Sequence, residues 1–279
     1  TRLSNAARPL RLSYAGDILR VEGNQLRPER QFSQVGYELI GSDNIFADVE
    51  VIILAVEALR KAGVGEISLD LTVPTLVGIV CKELGLESSL IAEVRRCLDR
   101  KDLVSLKNII PDNSQDILTS FLKSVGPVDE ALSALSSINL SSKSEEVLNG
   151  VSLIVSEVRK SLPNLSLTLD PSESRGFEYH TGLGFTIFGK NVRGELGRGG
   201  RYSIANGESA TGFSVYLDSV IRAIEKTKSP QKVLVPMDTP AAVSSKLRKE
   251  GWIVVNSLSA EKYLSSDAKN QGFEYILIQ

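Results

Sequence analysis

Residues 10–41 alternate apolar and polar side chains through two stretches separated by a polar segment. That period-two pattern commits the start of the chain to two β-strands joined by a loop, because strand side chains alternate between faces. Arg20 closes the first strand. On the second, Phe32, Gln34, Gly36, Glu38 and Ile40 share one face. Gln34 and Glu38 then point the same way across the gap left by Gly36, where a small polar ligand fits. Arg20 offers a guanidinium to a carboxylate or phosphate. Two readings of Gly36 stand on these residues alone: the floor of a pocket, or a bulge or close backbone approach.

Two later segments bear on that choice. One is Arg175-Gly176-Phe177-Glu178-Tyr179-His180-Thr181-Gly182, the other Gly199-Gly200-Arg201-Tyr202. With the hairpin, in this order and approximate spacing, they resemble histidyl-tRNA synthetase from the first residues to about position 225. The hairpin is similar to class II motif 2, with Arg20 at the place of its arginine. RGFEYHTG is similar to the family's histidine-binding RGLDYYTG, and GGRY matches its GGRY. The resemblance implies an α+β fold: a class II synthetase-like antiparallel sheet flanked by helices, with a helical insertion and a small C-terminal α/β unit. It also implies a histidine-binding set of Arg20, Gln34, Glu38, Arg175, Tyr179, His180 and Tyr202.

Departures from the family pattern decide between relatives. Motif 3 should read like GFALGLERL and bring a second arginine to ATP. Here Gly212-Phe213-Ser214-Val215-Tyr216-Leu217-Asp218-Ser219-Val220 stands in its place. Ser219 occupies the arginine position, and a serine cannot replace a fixed guanidinium on a triphosphate. Tyr216 replaces a glycine that leaves room for the nucleotide. In the motif 2 loop Glu22 is kept, but Gly23-Asn24 stands where the synthetase has Arg-Pro. His180, the chain's one histidine, replaces the second tyrosine of the histidine-binding segment. It reads either as a ligand contact or as a partly buried packing residue.

A synthetase core with altered ATP motifs and no complete anticodon domain resembles the regulatory subunits of ATP phosphoribosyltransferase. That resemblance implies a non-catalytic subunit without cofactor or metal. It implies assembly with a short-form catalytic subunit that joins ATP to phosphoribosyl pyrophosphate, the first step of histidine biosynthesis. A homodimer on the synthetase-type core, a site for histidine and no tRNA partner are further implications. The alternative is a histidyl-tRNA synthetase, or a synthetase-like amino-acid ligase.

Bulk properties agree with this. A net charge of −2 argues against a broad nucleic-acid surface, which needs a concentrated basic face. Cys81 and Cys97 have neither metal-ligand spacing nor a disulfide framework, and both fall in helical patterns as small hydrophobes. With no signal peptide and no apolar run of membrane-spanning length, the chain reads as cytoplasmic. It begins at Thr1, without the family's motif 1 segment, so the first part of the natural protein is expected to be missing.

Four divisions follow: core, 1–73; helical insertion, 74–148; core again, 149–228; short α/β unit, 229–279. In the first, Ser42-Asp43 caps a helix over 45–62 with a stripe of Ala47, Val51, Leu54, Ala55, Ala58 and Leu59, ended by Gly63 and Gly65. Ile67, Leu69 and Leu71 mark a strand expected beside the hairpin. The insertion is mainly helical, broken near Pro111, Gly126-Pro127 and 141–146, with a core stripe of Leu90, Val94, Cys97 and Leu98. It either contacts a partner or caps the sheet. A helix over 145–161, a strand through Leu165, Leu167 and Leu169, and a strand from Gly182 follow. The GRGGRY run is expected to bring backbone close to a ligand. Thr211 to Ile224 reads as a strand running into a helix. Beyond Ser229-Pro230, strands at 233–235, 252–255 and 275–278 alternate with helices at 240–250 and 259–269, a parallel βαβαβ unit. It resembles a shortened remnant of the anticodon-binding domain.

Overall fold

The opening alternation becomes an antiparallel ribbon. Strand β1 (Leu10–Leu19) pairs with β2 (Gln31–Ile40), placing Tyr14 opposite Gly36 and Leu12 opposite Glu38. The computed structural model describes residues 3, 5–21, 30–174, 176, 179–190, 192–224, 230–258 and 264–277. Glu22, Gly23, Asn24, Arg175, Phe177 and Glu178 lie outside the described residues.

Helix α1 (Ile45–Lys61) starts where expected, with its cap one residue later than Ser42-Asp43. Asn44 is the N-cap, because it takes the extended conformation a cap requires (φ −69°, ψ 133°) and its Oδ1 accepts the Phe46 N–H at 3.0 Å. Ala47, Val51, Ala55 and Leu59 are buried as expected. Ala58 is exposed, because the buried face turns toward Asp48, Ile52 and Val56. At the other end Val64 N–H bonds Leu59 O and Gly63 N–H bonds Arg60 O, a Schellman closure that needs the φ of +97° at Gly63.

Strand β3 (Ile67–Thr72) follows. Next come α2 (Leu76–Glu83), α3 (Ser88–Asp99), α4 (Leu103–Ile109) and α5 (Asp112–Lys123). The two-residue β4 (Gly126–Pro127), α6 (Val128–Ser136), α7 (Ser142–Ser161) and β5 (Ser166–Asp170) complete this part. The helical break expected near 141–146 falls at 137–141. Helix α7 begins inside that polar run, which forms its solvated first turn with only Ser144 buried. Gly126-Pro127 is more than a break, since it pairs with Leu169 and Thr168 of β5.

Strands β6 (His180–Gly189), β7 (Gly197–Ser203) and β8 (Ser209–Tyr216) lead into α8 (Leu217–Ala223). The GRGGRY run is thus an interior strand rather than a loop, and β6 starts two residues before Gly182. The sheet has the order β1-β2-β8-β7-β6-β3-β5-β4, antiparallel apart from the β3–β5 pair. Strand β3 does not lie beside the hairpin, because β8 takes the free edge of β2 and β7 and β6 follow it. Leu39, Leu69, Leu71, Phe185 and Ile187 share one continuous core with α1, and Leu118, Phe121 and Leu135 of the insertion belong to it. Of the expected α3 stripe, Val94 and Leu98 are fully buried, while Leu90 and Cys97 pack against the core partly exposed.

The chain divides into two compact units, residues 1–225 and 226–279. The second contains β9 (Lys232–Val235), α9 (Ala241–Lys249), β10 (Ile253–Asn256), α10 (Leu264–Gln271) and β11 (Tyr275–Ile276). Its strands are parallel in the order β10-β9-β11. Trp252 stays outside β10 and packs edge-on against Tyr275, with ring centroids 5.0 Å apart.

Candidate ligand-binding site

Residues paired across antiparallel strands point to the same face. Gly36 pairs with Tyr14 and Ser214, Glu38 with Gly212, Gly200 with Gly212, and Tyr202 with His180. The registers therefore collect Tyr14, Gln34, Glu38, Tyr202 and His180 on the side of the sheet away from Leu39 and Phe213.

Three glycines make room there, and a side chain from a neighbouring strand fills each space. The Tyr14 ring lies where a Cβ on Gly36 would stand, so the gap between Gln34 and Glu38 is not open to a ligand. The Glu38 carboxylate lies over Gly212, and the His180 imidazole over Gly200. Gly200 has φ +150°, and a Cβ on it would be 2.5 Å from His180 Cδ2. This close approach of side chain to strand is what the GGRY glycines permit.

The polar groups form two hydrogen-bonded sets. Tyr202 Oη donates to Glu38 Oε2 at 2.8 Å. Tyr14 Oη and Ser214 Oγ are 2.6 Å apart, with Gln34 Nε2 at 3.5 Å from Tyr14 Oη. His180 is buried at 5% exposure, and the Tyr179 ring, 65% exposed, lies over it with centroids 4.1 Å apart. Tyr179 also meets Tyr202 edge-on at 6.1 Å.

Burial raises the Glu38 carboxyl above its ordinary range, while the Tyr202 hydrogen bond pulls it back. Burial and the bond to Glu38 push the Tyr202 phenol up, and burial does the same at Tyr14 and Tyr179. The phenols are therefore donors at neutral pH. Among the described residues no cation pairs with Glu38. A half-buried carboxyl with one phenol partner favours a ligand that brings a positive charge or an N–H.

Arg20 is placed differently from the rest of the predicted set. Its guanidinium carbon sits 4.8 Å from the Phe32 ring centroid and 5.8 Å from that of Tyr216, within cation–π range. Tyr216 is buried and meets Phe32 edge-on, with centroids 5.5 Å apart at 84°. Ser219 is buried, and its Oγ accepts from Arg222 Nη2 at 3.2 Å. Of the predicted residues, Glu38, Tyr202, Tyr179 and His180 are joined by direct contacts, and Gln34 adjoins them through the Tyr14 pair. Arg175 lies outside the described residues.

Tyr14, Ser214 and Arg198 were not in the predicted set. Arg198 pairs across the strands with Ser214 on the same face and is bonded to buried Glu195. Alternation in GRGGRY carries that signal, since Arg198, Gly200 and Tyr202 are two residues apart. Among the described residues no group of three or more His, Cys, Asp or Glu side chains converges to hold a metal ion, and no helix is long and apolar enough to cross a membrane.

A mostly antiparallel eight-stranded sheet, helices packed on its apolar face and a glycine-spaced polar face opposite together define a class II aminoacyl-tRNA synthetase-like core. The family model for histidyl-tRNA synthetase matches residues 1–220. An ATP phosphoribosyltransferase regulatory subunit from Rhodospirillum centenum is 47% identical over 273 residues, covering 98% of this chain and 70% of the relative. A Bacillus halodurans structure described as an ATP phosphoribosyltransferase regulatory subunit/histidyl-tRNA synthetase superposes with TM-score 0.75 at 23% identity, over 99% of this chain and 75% of that one. A chain of the Thermotoga maritima ATP phosphoribosyl transferase complex superposes with TM-score 0.64 at 19% identity, over 77% of this chain and 76% of that one. The chain belongs to the histidyl-tRNA synthetase family and, within it, to the ATP phosphoribosyltransferase regulatory subunits.

Proposed function

We propose that this chain is the non-catalytic subunit that a short-form ATP phosphoribosyltransferase catalytic subunit requires for activity, in the first step of histidine biosynthesis. The observation that carries this reading is Tyr216. Its ring fills the space beside Phe32 where the synthetase resemblance calls for a glycine and a nucleotide, and Arg20 lies over both rings instead of facing open space. The 47% identity to a relative named as such a regulatory subunit supports the same reading. The transfer of phosphoribose, a glycosyltransferase reaction, then takes place on the partner.

In this reading the polar face senses histidine. The imidazole or ammonium group meets Glu38 and Tyr202, Tyr179 and His180 form an aromatic wall, and Gln34 and Arg175 complete the contacts. Binding shifts the assembly only through different affinity for its states. The subunit works in the cytoplasm as a homodimer within a hetero-oligomer and takes no tRNA.

Reconstitution tests the assignment. The full-length protein is mixed with the short catalytic subunit from the same source, and phosphoribosyl-ATP formation is followed with and without histidine. Activity in the mixture alone is expected. Histidine-dependent exchange of pyrophosphate into ATP by this protein alone, with no stimulation of the partner, would make it a synthetase. Glu38→Ala and Arg175→Ala should each leave reconstitution intact and remove the histidine response; an unchanged response in both sinks the sensor reading.

A further inference from the structure

Away from the polar sheet face, α2, α3 and α7 border a second cleft of about 490 Å3, a size typical of small-ligand sites. Gly78 and Lys82 lie on one face of α2, Ser88 and Arg95 on one face of α3, and Lys143 in the first turn of α7. Among the described residues no carboxylate lines the cleft. The three helices all begin without a side-chain cap, at Thr75, Glu87 and Ser141. The Leu76 N–H of α2 already bonds Val73 O, so it is at α3 and α7 that first-turn N–H groups are left for solvent or a ligand.

Arg95 carries the argument. Its guanidinium lies against Gly78, at the place where a Cβ would stand. Its Nε is buried and makes no hydrogen bond. Among the described residues Arg95, Lys82 and Lys143 have no ion-pair partner. A guanidinium pressed against protein loses water, and that loss is offset only by a hydrogen-bonded counter-charge. Packing alone does not explain the glycine under it, and the exposed Lys82 and Lys143 add two more cations around the same opening.

We propose that this cleft binds a small phosphate-bearing anion. Arg95 engages it with its planar fork, and Lys82 and Lys143 flank it as point charges. Ile79, Ile91 and Val147 give the cleft an apolar wall for the organic part of a phosphate ester. Thr181, which follows His180 in β6, also lines it, so an occupant touches the strand that holds the histidine-site imidazole. The inference does not depend on the regulatory-subunit reading.

Titration calorimetry on the full-length protein tests it, with inorganic phosphate, pyrophosphate and phenyl phosphate as probes. Saturable one-to-one binding of pyrophosphate is expected, with Arg95→Met weakening it by about tenfold or more. The surface double variant Lys82→Glu/Lys143→Glu, which leaves the buried stem of Arg95 in place, should remove binding, while Glu38→Gln should not change it. Tighter binding of phenyl phosphate than of inorganic phosphate assigns the apolar wall to the ligand, and equal binding assigns phosphate alone. No saturable binding of any probe up to about 10 mM, or binding unchanged in the lysine double variant, overturns the proposal.

Discussion

Glu38 is the carboxyl on which the proposed recognition of histidine rests. It is held over Gly212 with the Tyr202 phenol as its hydrogen-bond donor, and burial raises its pKa above the ordinary 4.5. A carboxyl whose pKa is higher folded than unfolded contributes stability that is present below the unfolded value and is lost as pH rises through the folded value. Glu38→Gln should therefore flatten the fall in stability between pH 4.5 and neutrality, read as denaturation midpoints across that range. A cationic ligand reverses the balance and lowers the Glu38 pKa. Near pH 4.5, where the raised pKa keeps the carboxyl largely protonated, its binding should release protons, seen as heats that differ between buffers of different ionisation enthalpy and reduced in Glu38→Gln. At Gly200 the constraint is steric. Gly200→Ala meets both His180 and Leu183 O, at 2.5 and 2.6 Å, on a backbone with φ +150°. It should lose about 2–4 kcal/mol of stability in urea denaturation.

At the scale of elements, a buried ion pair helps to fasten α1 to the sheet. Arg201 of β7 bonds both Asp48 carboxylate oxygens and the carbonyls of Ser42 and Asn44. Both side chains are nearly buried, at 11% and 5% exposure. Asp48→Ala leaves the guanidinium buried without its counter-charge and should destabilise by about 3–5 kcal/mol, measured as the denaturation midpoint. How much could be read beforehand differed by element in a physical way. The hairpin, α1 and β3 announce themselves because period and cap chemistry are local. The place of β3 in the sheet was not legible, since pairing of β2 with β8 joins residues far apart in sequence and no local rule fixes it. Tyr14 was missed for the same reason. Its face could be read from alternation, but its seat over Gly36 depends on hairpin register, which alternation alone does not fix. The polar start of α7 was mistaken for a break because Ser and Lys favour neither state strongly, and the buried Ser144, bonded to Glu83, anchors it only through tertiary contact.

For the whole molecule, the two units differ in what they bury. Residues 1–225 share one extensive core, whereas the second unit gathers Leu234 and Ala268 with Val255, Phe273 and Ile276. Small units bury a smaller fraction of their surface and are correspondingly marginal. A chain ending at residue 225 should still unfold in one cooperative transition by circular dichroism, while residues 226–279 alone should show little cooperativity. Reconstitution with the shortened chain then tells whether the catalytic partner reads the sheet unit or the C-terminal one.

The Tyr216 ring also sets a direction for change. Removing it by Tyr216→Gly opens a hole beside Phe32 and leaves Ser219 unable to hold a triphosphate. Supplying the missing cation by Ser219→Arg forces a guanidinium into a buried position while the ring still stands. Each reversion alone is a loss, and even both together leave Gly23-Asn24 in place of the Arg-Pro of the synthetase's motif 2 loop. The aromatic plug therefore acts as a ratchet: once it is set, a chain of this kind has no single step back to activating an amino acid, and selection can refine it only as a partner.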